Sequence, residues 1–340
     1  MTDAKANTKE IYLSSSPHFT FGSSTQWIMG TVLVALLPEC VYAVMLFGLR
    51  ALFIILASVV SAVFFEFLFQ KITGQKIIVS NLSAAVTGVL LALVVPPTAP
   101  VWMVVLGDLV AIVVAKGLFG GIGSNVFNPA LTGRAFLFMS FAAVMGASWL
   151  EPGTVDVISS ATILSQIKSG TAAIDTDTIV QYFVGNRAGC LGESSIMLIL
   201  LSFIFLLVTG IIDWRAPAAM VGTVAMATCF SSLLGGASLG GAGQDVLMAL
   251  FTGGLLFGAT FMVTDYATTP VTKPGRLVFG FGCGLITFLI RRFGGYPEGV
   301  MFSILIMNSI APFLNNLTAR KYGYGEKAHR HGTFTKEDRA

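Results

Sequence analysis

Ala51-Leu-Phe-Ile-Ile-Leu-Ala-Ser-Val-Val-Ser-Ala-Val-Phe-Phe-Glu-Phe-Leu-Phe-Gln70 decides the fold. A run of about twenty apolar residues is what a helix needs to cross the hydrocarbon core of a bilayer, and this one carries a single charge, Glu66. The rest of the chain repeats the signal. Of its 340 residues, 55% are hydrophobic and 11% charged, with a mean hydropathy of +0.82. A soluble domain carries about 25% charged residues, so the class is a polytopic membrane protein. Working outward from 51–70, further spans are predicted at 28–48, 83–97, 101–118, 131–149, 194–212, 216–235, 246–263, 277–291 and 299–315. Those at 83–97 and 277–291 are short. No charged leader with a small-residue cleavage site precedes the first span, so Met1–Trp27 reads as a retained tail.

The expected architecture is an all-α membrane bundle of ten transmembrane helices. It comprises a cytoplasmic tail (1–27), a five-helix repeat (28–149), an external loop (150–193), a second five-helix repeat (194–315) and a cytoplasmic tail (316–340). Lys and Arg placement supports that orientation. Lys5, Lys9, Lys71, Lys76, Lys116, Arg134, Arg215, Lys273, Arg276 and the basic tail from Arg320 fall on one side. Arg50, Lys168, Arg187, Arg291 and Arg292 fall on the other. The net charge of +3 gives no reason to expect nucleic acid binding.

Two halves of five spans are inverted relative to each other. Phe119-Gly-Gly-Ile-Gly-Ser-Asn-Val-Phe127 follows the fourth span, and Phe293-Gly-Gly-Tyr-Pro-Glu-Gly-Val-Met301 follows the ninth. Val86-Thr-Gly-Val-Leu-Leu91 in the third span resembles Phe251-Thr-Gly-Gly-Leu-Leu256 in the eighth. Inverted repeats place binding sites at their interface. Val94-Val-Pro-Pro-Thr-Ala-Pro100 and Thr264-Asp-Tyr-Ala-Thr-Thr-Pro270 then close spans three and eight, where proline stops a helix. Irregular backbone at membrane depth persists only where protein buries it or it lines a cavity, so these segments are the expected walls of a site; ordinary interfacial turns would have the same composition.

The four cysteines, at 40, 190, 229 and 283, show no C-x-x-C spacing, and the three histidines, 18, 329 and 331, lie in the tails. A locally ligated iron–sulfur cluster and a haem held between spans are therefore not expected, nor is a metal site. Glu39, Glu66 and Asp108 sit inside predicted spans, where a carboxylate is costly and must face protein or water; structural pairing and an ion path are the two readings. In the external loop, Asp156-Val-Ile-Ser-Ser-Ala-Thr162 ends on a hydroxyl able to attack a phosphoryl centre once an enzyme and metal activate it. The small Ser159, Ser160 and Ala161 would let such an enzyme grip the backbone.

Four stretches carry a family resemblance: Gly120-Gly-Ile-Gly-Ser-Asn-Val-Phe-Asn-Pro-Ala130, Gly189-Cys-Leu-Gly-Glu193, Phe261-Met-Val-Thr-Asp265 and Arg291-Arg-Phe-Gly-Gly-Tyr-Pro-Glu-Gly-Val300. With them the chain resembles the RnfD family, membrane subunits of the Rnf electron-transport complex, from Ser16 to Gly323. That family is homologous to the B subunit of the sodium-translocating NADH:quinone oxidoreductase. The resemblance implies a subunit, not catalytic alone, that passes electrons in an ion-translocating ferredoxin:NAD+ oxidoreductase of the inner membrane. It implies FMN joined through a phosphoester to Thr162, with Ser159, Ser160, Ala161, Gly189, Gly192 and Glu193 as its surroundings. It also implies a second, non-covalent flavin, riboflavin, near Asn125, Asn128 and Asp265. Implied partners are iron–sulfur and flavoprotein subunits, a flavin transferase and lipid. Val157 and Ile163 depart from the family's acceptor pattern, and Tyr266-Ala267 from its usual Asp-Pro.

On the residues alone, Glu193 also reads as complementing a helix dipole, and Asn128 as an N-cap. A solute channel of inverted-repeat type and a quinone-reducing subunit are the alternative functions. The flavin expectation has a direct measurement. On a denaturing gel, the chain from cells containing the transferase should fluoresce under ultraviolet light, and Thr162→Val should abolish that fluorescence; a dark wild-type band would refute the assignment.

Overall fold

In the computed structural model, residues 24–147, 176–185, 189–236, 238–294 and 299–318 are described. Among them all regular structure is helical. Helices α1 (Thr25–Phe47) and α2 (Leu49–Ile72) are followed by the short α3 (Ser83–Leu93). Next come α4 (Val101–Leu109), which runs on as a π-helical segment Val110–Gly117, then α5 (Pro129–Ser140) and α6 (Ala142–Ala147). Helix α7 (Thr176–Val184) precedes α8 (Ile196–Val208), α9 (Arg215–Leu234) and α10 (Leu239–Phe251). The chain closes with α11 (Leu255–Phe257, continued by the π-helical Gly258–Met262), α12 (Lys273–Phe293) and α13 (Val300–Thr318).

Helices α1, α2, α9, α12 and α13 are long and apolar enough to cross a membrane, and the bent pair α10–α11 makes a sixth candidate. The chain is a multi-pass membrane protein. Its helices are apolar on both sides: α1 buries Ala35, Leu36, Ala43 and Phe47 while Val34, Leu37, Val41 and Met45 face outward. In water such a stripe would be an aggregation surface; beside lipid it carries no such penalty. Helix α3 is the exception, because all its residues are buried. It packs against α1, α2, α4 and α5 and against the turn before α8.

Several predicted spans are interrupted. The expected span 246–263 is two helices meeting at a 61° bend, where Gly253 adopts φ 66°, a conformation open to glycine at no steric cost. The expected span 131–149 breaks at Phe141, and 194–212 shortens to α8. Helix ends leave carbonyls without helical partners, and around α3, α10 and α11 side chains and one backbone amide bond to carbonyls at or beyond those ends. Arg50 Nη2 donates to Thr98 O (2.6 Å) beyond α3, and Leu191 N donates to Val95 O (3.3 Å). Arg291 donates to Ala249 O (2.6 Å) and Thr252 O (3.2 Å) at the end of α10. Asn128 Nδ2 and Thr269 Oγ1 serve Met262 O (3.4 Å) and Val263 O (2.6 Å) beyond α11. Arg291, expected as an external loop charge, is thus a part-buried cap, whereas Arg50 remains at the exposed α1–α2 junction and reaches Thr98 O from there.

Polar side chains and close glycine contacts join the elements. Ser58 and Ser61 on α2 donate to the buried Asp108 on α4 (3.0 and 2.6 Å), and Ser58 Oγ also lies 2.7 Å from Gly88 O on α3. This pairing is the structural outcome for Asp108. Glu39 is buried as well, with no partner for Oε1 among the described residues. On α12, Gly280-Phe-Gly-Cys-Gly284 lets α9 approach as small-residue motifs do in membranes. A Cβ on Gly280 would run into Ala216 O and sit 2.9 Å from Ala219 Cβ. Gly280→Ala should therefore destabilise the protein by about 1–3 kcal/mol through overpacking. Gly222→Ala on α9, where nothing lies within 4 Å, should stay within about 0.5 kcal/mol. Thermal unfolding of the two variants in detergent measures the contrast.

Candidate functional site

A cavity of about 360 Å³ opens between α1, α3, α5, α8 and the π-helical end of α11. It brings Asp265 together with Asn125 and Asn128, which lie more than a hundred positions earlier in the chain. Asn-Pro at 128–129 explains the placement of Asn128. This residue N-caps α5, accepting from Leu131 N (3.3 Å), and proline suits the first helical position because its missing N–H has no partner there. With the Asn308 amide set so that both ends are satisfied, its oxygen accepts from Asn128 N (3.0 Å). Asn128 thus fastens α5 to α11 and α13 while lining the cavity. The capping reading holds, and the same residue also lines the cavity.

Asn125 donates to Phe127 O (3.3 Å) within its own turn. That turn is reached through Gly120, Gly121 and Gly123, all at positive φ. Asp265 accepts from Thr268 Oγ1 (2.9 Å). Ser83, Thr87, Thr260, Thr264 and Lys116 complete the polar lining, and Val86, Leu90, Ile211, Ile212 and Phe261 form an apolar flank. A volume in the few-hundred-Å³ range with a few convergent polar groups is the usual form of a small-molecule site.

Sequence reasoning places Lys116 among the charges marking the inner face and misses it as a site residue. The structure buries it to 4% exposure and pairs it with Glu66 at 2.6 Å. The readable signal is its position inside the predicted span 101–118, the same cue that marks Asp108. Its placement owes something to the π-helical segment, since π turns shift side chains off the α-helical face and recur at functional sites. Arg134, likewise expected as an inner-face charge, is buried within α5 near Cys190 Sγ (3.5 Å) and Glu193 Oε1 (4.0 Å).

Gly189, Gly192 and Glu193 do not line this cavity. They lie at the opposite end of α3, in the buried turn before α8. A Cβ on Gly192 would stand 2.7 Å from Leu93 Cβ and 2.9 Å from Phe257 Cε2, so its close approach is to protein. Phe257 in turn contacts Phe261, ring centroids 5.0 Å apart, and Phe261 lines the cavity. Two aromatic rings thus separate the turn from the cavity. Ser159, Ser160, Ala161 and Thr162 lie outside the described residues.

A match to a family model covers residues 12–323. The chain belongs to the NQR2, RnfD, RnfE family. Among curated relatives in this family, it is 41% identical over 320 residues to the D subunit of the Na(+)-translocating ferredoxin:NAD(+) oxidoreductase complex of Acetobacterium woodii, covering 93% of this chain and 96% of the relative. It is 37% identical over 327 residues to the D subunit of the proton-translocating ferredoxin:NAD(+) oxidoreductase complex of Clostridium ljungdahlii, covering 94% and 97%. It is 36% identical over 336 residues to the D subunit of the ion-translocating oxidoreductase complex of Stutzerimonas stutzeri, covering 90% and 94%.

The connection between α8 and α9 forms the cavity floor. Ile211 and Ile212 line it, and the Tyr266 hydroxyl donates to Ile211 O. Asp213 accepts from Arg215 Nη1 (2.9 Å) and Arg276 Nη1 (2.8 Å), and Arg276 Nε donates to Pro270 O (3.0 Å). Partial burial alone would raise the Asp213 carboxyl, but the Arg215 amide and guanidinium and the Arg276 guanidinium outweigh it and hold the group below the usual aspartate range. A depressed carboxylate stabilises the floor above its unfolded pKa, and that contribution is lost as pH falls through the folded value. The protection of the Gly210–Trp214 amides, taken as exchange relative to the intrinsic rate at each pH, should therefore fall in acid. Asp213→Asn should show the lower protection already at neutral pH, by about two- to fivefold for a part-exposed ion pair; equal rates would show that the pairs do not hold the floor.

Proposed function

We propose that this chain is the flavin-carrying membrane subunit of an ion-translocating ferredoxin:NAD+ oxidoreductase complex. It would pass electrons between FMN on Thr162 and a riboflavin in the cavity. The observation that carries the reading is the convergence of Asn125, Asn128 and Asp265 on one amphipathic cavity. Family membership and relatives named as the D subunit of such complexes support it. Relatives named for Na+ and for protons share the family, so the fold suits either ion.

The arrangement proposed is ten membrane segments in two inverted halves, with both termini cytoplasmic and the loop 150–193 external. Three features support it. Short α3 and α11 occupy equivalent places in the two halves, each ends in irregular backbone, and both face the same cavity. That is where inverted repeats form their sites. The turn Gly189–Glu193 would then lie toward the external side and the cavity toward the cytoplasm, with Phe257 and Phe261 between them.

A bound flavin supplies the redox chemistry; the protein binds, orients and tunes it. Asn125 and Asn128 both donate and accept, which suits the pyrimidine edge, and Asp265 would accept from a ring N–H or a chain hydroxyl. Val86, Leu90 and Phe261 would cover the apolar end and keep water out. The energy scale is adequate. Moving one charge against 100 mV costs about 2.3 kcal/mol, while an electron falling about 59 mV changes an equilibrium constant tenfold.

The test uses the purified complex. Acid precipitation of wild type should release riboflavin into the supernatant. Asn125→Leu and Asp265→Leu should each lower the released amount at least tenfold, while the covalent ultraviolet-fluorescent band at the mass of this chain persists. Full release from both variants would remove the cavity as the riboflavin site.

A further inference from the structure

Lys116 is the only Lys or Arg among the described residues that line the cavity. Its Nζ carries three N–H donors. Two are engaged, by Glu66 Oε1 at 2.6 Å and by Ser83 Oγ. The remaining valence belongs to an ammonium that lines the space beside Asn125, Asn128 and Asp265. Glu66 does not line that cavity. It faces a second one of about 20 Å³ on the other side of Lys116, bounded by Gln70, Gln75 and Gly121, and its Oε2 has no partner among the described residues. The pair therefore forms part of the wall between two cavities: Lys116 lines both, and Glu66 lines only the smaller.

We infer that Lys116 is the electrostatic partner of the redox ligand in this cavity, and that Glu66 is the counter-charge that limits its effect, so that the pair sets the reduction potential of the site. The inference rests on the flavin reading above. Reduction adds negative charge to the ligand's polar edge. A cation fixed there in a low-dielectric site stabilises the reduced form more than the oxidised one. Glu66 offsets part of that field and holds the ammonium in place through a short contact. In this role Lys116 is only a hydrogen-bond donor and fixed charge, with no proton transferred. The electrons are those the complex passes between ferredoxin and NAD+. A buried ion pair is a poor device for stability alone, since apolar residues of similar volume often serve as well; positioning a charge at a ligand is something apolar residues cannot do.

Lys116 and Glu66 are thus positioning residues, and their test is a potential. Flavin absorbance is titrated in the purified complex from wild type, Lys116→Gln, Lys116→Arg and Glu66→Gln, alongside the riboflavin released by acid. In Lys116→Gln the preference for the reduced form should fall at least tenfold, which lowers the midpoint by about 30 mV for a two-electron couple. In Glu66→Gln the midpoint should rise, and in Lys116→Arg it should stay within threefold of wild type. Opposite signs in the two neutralising variants are not expected of a merely structural pair. Shifts of the same sign, or no shift with riboflavin retained, would overturn the inference. Should Lys116→Gln lose riboflavin, retention by Lys116→Arg supports a requirement for the charge, and loss from both refutes it. Absence of releasable riboflavin from wild type is a separate result, which overturns the flavin reading and this inference with it.

Discussion

Helices that stop within an apolar protein must have their last carbonyls satisfied by something other than water. Beyond α3 and at the ends of α10 and α11 the partners Arg50, Arg291 and Asn128 come from far away in sequence, and Thr269 adds a local one. An unpaired polar group in hydrocarbon costs several kcal/mol, so these bonds fix where the broken segments lie. Once α3 is buried on all sides and α11 is capped by Asn128, the space between them is bounded on opposite faces by short helices. The cavity is a consequence of that geometry.

The same constraint governs charge. Glu66 pairs with Lys116, Asp108 accepts from two serines, and Arg134 lies against Glu193. The first two join α2 to α4 and its π-helical continuation, and the third joins α5 to the turn before α8. Some of the charges that read as loop markers are interior fixtures. Lys116 and Arg134 are buried, so neither marks a membrane face as a loop charge would. Asp213, at the cavity floor, is different: its arginine partners stand at the helix starts beside it and hold the connection between α8 and α9 against Tyr266.

This arrangement separates two regions that the family motifs group as flavin surroundings. Asn125, Asn128 and Asp265 converge, whereas the Gly189–Glu193 turn lies beyond Phe257 and Phe261 at the other end of α3. Under the proposed function, the buried rings of Phe257 and Phe261 would stand between the two flavins.

Much of this was legible in the residues. Long apolar runs gave the membrane class, Asn128-Pro129 gave a helix start, and the glycines at 120, 121 and 123 gave the turn that carries Asn125. The prolines after Val95 gave the end of α3. These are local properties, set by side-chain transfer energy, fixed φ and missing N–H groups, and a sequence carries them without reference to the rest of the chain. The bend at Gly253, the break at Phe141, the pairing of Lys116 with Glu66 and the meeting of Asp265 with the two asparagines depend on which surfaces touch. Hydropathy treats a residue facing lipid and one facing another helix alike. Only the assembled helices, through close packing at glycines and the demand that each buried polar atom find a partner, decide which charges become site residues.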